Sequence, residues 1–331
     1  MTRRLLPALL GLALLGLALL AAACTGGDDP EPSVAPPSSP AGDASTFSAQ
    51  VASSDLAAGS AEPVQIGVFS STADAGVQLL SFGDIDVAFS YLGADGGQPP
   101  AAGPTTSAGF VAAPGNDAGG GDGPTLTNPS DVAGVYVTPE VTFPEAGIWN
   151  ASVTASVDSA APVTLDAAFT VYPEHRIPAP GDEALATKNL TVDSKDAPPV
   201  AIDSRAQDGA DVPDPQLHDT TIAAALKEGE PVLVQFATPV YCVSDFCGPT
   251  VEAQEALADE YGDVATFIHV EIWRDYDESV VNRAAADWLL RDGDLTEPWM
   301  YLIGADGTIV ERWGPLFDLT EVRAALDRLP S

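Results

Sequence analysis

Between Glu62 and Pro173 the chain is a series of short apolar runs: VQIGVF, VQLLSF, DVAFSYLG, GVYVTPEVTF, GIWNASVTASV and VTLDAAFTVY. Each is rich in Val, Ile, Phe, Tyr or Thr, several alternate with period two, and turn residues separate them. That pattern specifies strands. Several strands and no helical period predict a β-sandwich over residues 61–173. The insert AAPGNDAGGGDGPTLTNPSD reads as a loop. Its glycines lack the Lys and the following helix of a phosphate loop.

After His218 the rhythm changes. TTIAAALKEG, TVEAQEALADEYG, DESVVNRAAADWLL and LTEVRAALDRL read as helices. PVLVQFA, VATFIHVEIW and the two halves of WMYLIGADGTIVERWG read as strands, the last pair joined at Asp306-Gly307. Apolar residues recur at helical spacing in Ala253, Leu257 and Tyr261, and again in Val322, Leu326 and Leu329. Alternation of this kind predicts an α/β domain over 218–331. The Pro- and Asp-rich stretch 174–217 reads as a linker draped over the domains.

The chain carries 48 acidic and 13 basic residues, a net charge of -35. A surface so negative repels phosphate backbones, and no basic stripe offsets it, so nucleic acid is excluded as a partner. Carboxylates are too abundant for any pair to single out a hydrolase. No serine sits in a nucleophile-elbow context.

The N-terminus, MTRRLLPALLGLALLGLALLAAAC, places Arg3 and Arg4 before an apolar stretch that ends in small residues at Cys24. This is the layout of an export signal, with an uncleaved membrane anchor as the alternative. AAAC after Leu20 resembles a bacterial lipobox, although Ala21 stands where that family more often has Leu. The resemblance implies a lipoprotein signal peptide over residues 1–24, cut before Cys24, and acylation of the Cys24 sulfur. The protein would then sit on the cell membrane, lipid-anchored and facing outside the cytoplasm. Residues 25–60, rich in Pro, Gly, Ser and Asp, read as a disordered tether. With Cys24 lipidated, Cys242 and Cys247 are the remaining thiols, and in an oxidising compartment two nearby thiols tend to pair.

VTFPEAGIWNASVTASV resembles strand pairs of immunoglobulin-like domains in exported bacterial proteins, through the step Gly147, Ile148, Trp149. Trp149 itself reads as core filler. PVLVQFA followed by a cysteine and CGPT resembles the thioredoxin superfamily, and EPWMYLIGADGTIVERWG is similar to that family's later stretch. The expected architecture is therefore two-domain: an N-terminal immunoglobulin-like sandwich and a C-terminal α/β thioredoxin-like fold. The resemblance implies thiol–disulfide exchange through Cys242 and Cys247, with Pro298 as a cis-proline shaping the substrate groove and Gly314 ending the following strand. A cysteine at a helix N-terminus meets unpaired N–H groups that favour thiolate, and Pro249 suits a first helical turn.

Departures from that family are specific. Thr250 replaces its second cysteine, Gln235 a buried Asp, and Phe246 a Trp, while Asp245 disfavours a neighbouring thiolate. Which sulfur attacks stays open. A structural clip is the competing reading, contributing about 2 kcal/mol in the chain-entropy model across so short a loop. In that case the protein is a non-catalytic binding lipoprotein whose sandwich recognises the partner. Copper delivery is a third reading, since soft thiolates suit Cu(I). The histidines are His175, His218 and His269. His218 reads as a surface residue at a helix start and His269 as part of a sheet face, so no metal site and no cofactor are expected. The partners expected are membrane lipid through Cys24 and exported thiol or disulfide proteins.

Overall fold

The computed structural model describes residues 46–116, 123–157, 160–242 and 246–329. Cys24 with the export segment, the first part of the tether and Asp245 lie outside the described residues. Residues Asp43–Ser331 form one compact unit.

The first half folds as β1 (Thr46–Val51), β2 (Leu56–Ala57), β3 (Ala61–Glu62), β4 (Gln65–Thr72), β5 (Gly76–Ser81) and β6 (Asp84–Tyr91). Then come β7 (Ala101–Ala112), β8 (Thr125–Thr127), β9 (Gly134–Val137), β10 (Val141–Thr142), β11 (Gly147–Ala155) and β12 (Val163–Tyr172). Ten of these strands make a single sheet, in the order β2-β12-β11-β6-β7-β9-β4-β5-β8 with β1 added on β4. β1 also runs alongside β12, so the sheet curls back on itself. Alternation sets what faces inward: Ile85, Val87 and Phe89 of β6, and Trp149, Ala151 and Val153 of β11, are buried between exposed or half-buried neighbours. Phe143 and Phe169 close the core edge-to-face, with ring centroids 5.4 Å apart.

The second half contains α1 (Ile222–Glu228), β13 (Val232–Ala237), α2 (Cys247–Tyr261), β14 (Thr266–Glu271), β15 (Trp273–Asp275) and β16 (Val280–Val281). It ends with α3 (Arg283–Leu289), β17 (Trp299–Ile303), β18 (Ile309–Trp313) and α4 (Leu319–Leu326). A four-stranded sheet, β14-β13-β17-β18, has β13 parallel to β14 and antiparallel to β17. Every residue of β13 is buried because both of its faces are covered. Val232, Val234 and Phe236 pack with Ile222, Ala285 and Trp288, while Leu233 packs with Leu257 and Val322.

The expected immunoglobulin-like sandwich joined to an α/β thioredoxin-like fold is overturned. The protein is predominantly β, 38% strand against 17% helix, and its principal element is one large curled sheet. Where two packed sheets were expected, the inward apolar face is continuous from strand to strand, so the sheet wraps a single core. Among the helices of the described residues only α2 exceeds eight residues; the alternation expected from the sequence overweights three helices of about two turns. The tether and the linker are also more ordered than their composition implies. Thr46–Val51 pairs with β4, and the segment after Tyr172 buries Ile177, Ala184, Asp203 and Leu217.

Candidate functional site

β13 delivers the chain to Thr238, and α2 leaves from Cys247. Two glutamines fix that geometry. Gln254 of α2 donates to the carbonyls of Leu233 (3.3 Å) and Ile268 (3.0 Å), pinning the helix to both parallel strands. Gln235 donates to Thr250 Oγ1 at 2.7 Å, and Thr250 donates in turn to the Cys247 carbonyl at 3.0 Å. Gln235 and Thr250, at the positions where the sequence departs from the thioredoxin pattern, thus bond to each other.

Cys242 and Cys247 form a disulfide with their Cα atoms 6.0 Å apart. Cys247, the first residue of α2, is fully buried against Ala237 and Val251. Cys242 is half-buried and lines a cavity of about 620 Å³. That cavity lies between the curled sheet and the second half: Phe69, Leu79 and Val135 come from the sheet, and Phe246, Glu297 and Trp299 from the other side. The loop cysteine is therefore the more exposed of the two, and the helix-start cysteine is enclosed.

The Glu297–Pro298 peptide is cis, and Pro298 is buried between the lining residues Glu297 and Trp299. Trp299 is held by a hydrogen bond from its Nε1 to Thr296 Oγ1 (3.0 Å) and by Arg312 stacked 5.0 Å from its ring centroid. Gly314 lies so close that a Cβ there would sit 2.7 Å from the Trp299 ring and 2.8 Å from the Pro298 carbonyl. Any larger residue would displace the cavity wall.

Glu297 is the group that sequence reasoning missed. Its Oε2 is buried without a hydrogen-bond partner. Burial, reinforced by the charge of Glu271, pushes its carboxyl up to about 8, so it holds a proton at neutral pH. Among 48 acidic residues nothing in composition marks it. Its one local signal is its place immediately before Pro298 and the apolar run WMYLI.

The histidines do not join the cysteines. His175 approaches Asp55 and Arg312, with Nδ1 3.0 Å from the Asp55 carbonyl. His218, expected at the surface, is fully buried at the end of the short turn Pro215–Leu217. It faces Asp203, as does His269 of β14, and these three form a group with no cysteine in it.

No protein-family model matches the chain, and no match was found among curated proteins or solved structures.

Proposed function

We propose that this protein exchanges disulfides at Cys242–Cys247, with Cys242 as the sulfur that meets the substrate. The observation that carries this reading is the asymmetry of the pair: Cys242 lines the cavity and Cys247 is enclosed at the start of α2. An incoming substrate thiolate forms a bond to Cys242 Sγ. The sulfur–sulfur electron pair then leaves on Cys247, where the positive end of the α2 dipole stabilises the thiolate. A second substrate thiol, after losing its proton, attacks the mixed disulfide. The substrate departs oxidised and the protein keeps two electrons and two protons as its dithiol. Glu297 keeps a proton available within the same cavity, and the apolar walls favour a substrate segment that buries aromatic or aliphatic side chains.

The same proposal places the protein outside the cytoplasm, anchored by lipid on Cys24. It rests on Arg3, Arg4, the apolar run and AAAC in the sequence. Among the described residues no helix is long and apolar enough to cross a membrane.

Full burial of Cys247 favours a second reading, a structural clip beside a cavity that binds a ligand without turnover. Equilibration of the pair in graded redox buffers separates the two. A potential between about -120 and -270 mV supports exchange, and one below about -300 mV supports the clip.

A further inference from the structure

We propose that Asp203, His218 and His269 bind a divalent transition-metal ion, Zn²⁺ being the best fit, at a site that fastens the segment before α1 to β14. The three side chains come from distant places: Asp203 follows the short turn Pro199–Ala201, His218 follows the turn Pro215–Leu217, and His269 lies in β14. All three are completely buried, and their ligand atoms lie within 4.8 Å of one another.

The spacing decides between a metal and a hydrogen-bonded cluster. His218 Nε2 and His269 Nδ1 each stand 3.4 Å from Asp203 Oδ2. Charge-assisted hydrogen bonds close to about 2.7–2.9 Å. Two ligands on one tetrahedral zinc, at bonds of about 2.0–2.1 Å, are separated by about 3.3–3.4 Å. Neither nitrogen facing the carboxylate makes a well-aligned hydrogen bond, and His218 Nδ1 makes none either.

The proton on His269 is placed by its neighbour. Nε2 lies 3.1 Å from the Ala237 carbonyl, which can only accept, so Nε2 carries the hydrogen. In the neutral ring Nδ1 is then a lone pair aimed at a carboxylate oxygen, an arrangement that a cation between them resolves. The carboxylate is itself oriented by partners, as a metal ligand needs to be. Arg205 forks onto Asp203, with Nε 3.0 Å from Oδ1 and a terminal nitrogen 2.7 Å from Oδ2, and it is itself held by Asp214 at 2.8 Å. Two imidazoles and one carboxylate suit zinc, with a water for the fourth position.

The site reaches the disulfide loop through the backbone. Ser204, next to Asp203, accepts a hydrogen bond from the Val240 N–H at 3.1 Å, two residues before Cys242. His269 holds the Ala237 carbonyl at the end of β13. A bound ion would thus set where the chain leaves the strand on its way to Cys242.

The test is titration of the metal-stripped full chain with Co²⁺ and Zn²⁺. The expected result is one equivalent of Co²⁺ bound with the visible absorption of a four-coordinate ion, without a thiolate-to-metal band, displaced by Zn²⁺. His218→Ala should lose that spectrum and weaken binding by more than about 100-fold, whereas a Cys242→Ser/Cys247→Ser double variant should keep both. Absence of the spectrum in the wild-type chain, or its survival in His218→Ala, overturns the proposal. So does its loss in the double cysteine variant. The wild-type titration decides alone if His218→Ala does not fold.

Discussion

Arg312 of β18 donates to Asp55 at 2.7 Å across 257 positions of sequence, and both side chains are at most 5% exposed. The same guanidinium donates to the Asp55 carbonyl and to Glu62, both at 3.1 Å. The strand that ends the second sheet is therefore bound by charge to the segment that precedes β2.

Removing one partner of a buried pair leaves an uncompensated charge. Asp55→Ala should cost about 3–5 kcal/mol in urea denaturation. Burial raises the Asp55 carboxyl, but the hydrogen bond with His175 and the charge of Arg312 outweigh it and hold the group below its ordinary 3.8. A depressed native pKa stabilises the fold above the ordinary value, and that contribution is lost as pH falls through the native one. Acid unfolding of the wild type should therefore steepen below pH 3.8, and Asp55→Asn should lack that component.

Gln65 and Leu316 make a reciprocal pair of hydrogen bonds, side chain to backbone carbonyl at 2.6 Å and backbone N–H to side chain at 3.1 Å. Gln65→Leu should lose about 1–3 kcal/mol, because it leaves both backbone groups of Leu316 buried and unpaired. Thermal or chemical unfolding reads the change, and Gln65→Glu should restore at most the contact from the Leu316 N–H.

Glu297 gives an alkaline dependence of opposite sign. Its native pKa, about 8, lies above the ordinary 4.5. Its stabilising contribution is complete below 4.5 and is lost as pH rises through about 8. Denaturation midpoints of the oxidised protein should fall between pH 5 and pH 9, and Glu297→Gln should flatten that fall. An unchanged slope in the variant would locate the dependence elsewhere.

After reduction, Cys242 should be alkylated by iodoacetamide at least about tenfold faster than Cys247, since reaction needs access as well as thiolate. Mass mapping of the first adduct reads this directly. Equal rates would remove the asymmetry on which the exchange reading rests.

Strands with clear alternation were visible in the residues themselves: DVAFSY becomes β6 and GIWNASVTA becomes β11. β7 was not, because AAGPTTSAGFVA carries few β-branched or aromatic residues. Its small residues answer to a neighbour: a Cβ on Gly103 would lie 2.6 Å from the Trp149 ring. Closure of ten strands into one sheet depends on pairings such as Ile66 with Tyr136, which no local pattern encodes. At the site, the cysteines and Pro298 could be picked out because cysteine is scarce and X-Pro is conspicuous. Asp203 and Glu297 could not, since what distinguishes each is burial, and burial is decided by chain arriving from far away.

Those distant pairings also impose an order on synthesis. Gln65 leaves the ribosome 251 residues before Leu316, a wait of roughly 12 to 50 s at about 5–20 residues per second. For most of that interval, until Phe246 and then Glu297 and Trp299 emerge, the sheet wall bearing Phe69 and Leu79 has no opposite side, and its apolar face stands open to water. The nascent chain is thus most prone to aggregate along the wall that later faces Cys242, and a holding chaperone would have to cover that surface until Phe246 and Trp299 arrive.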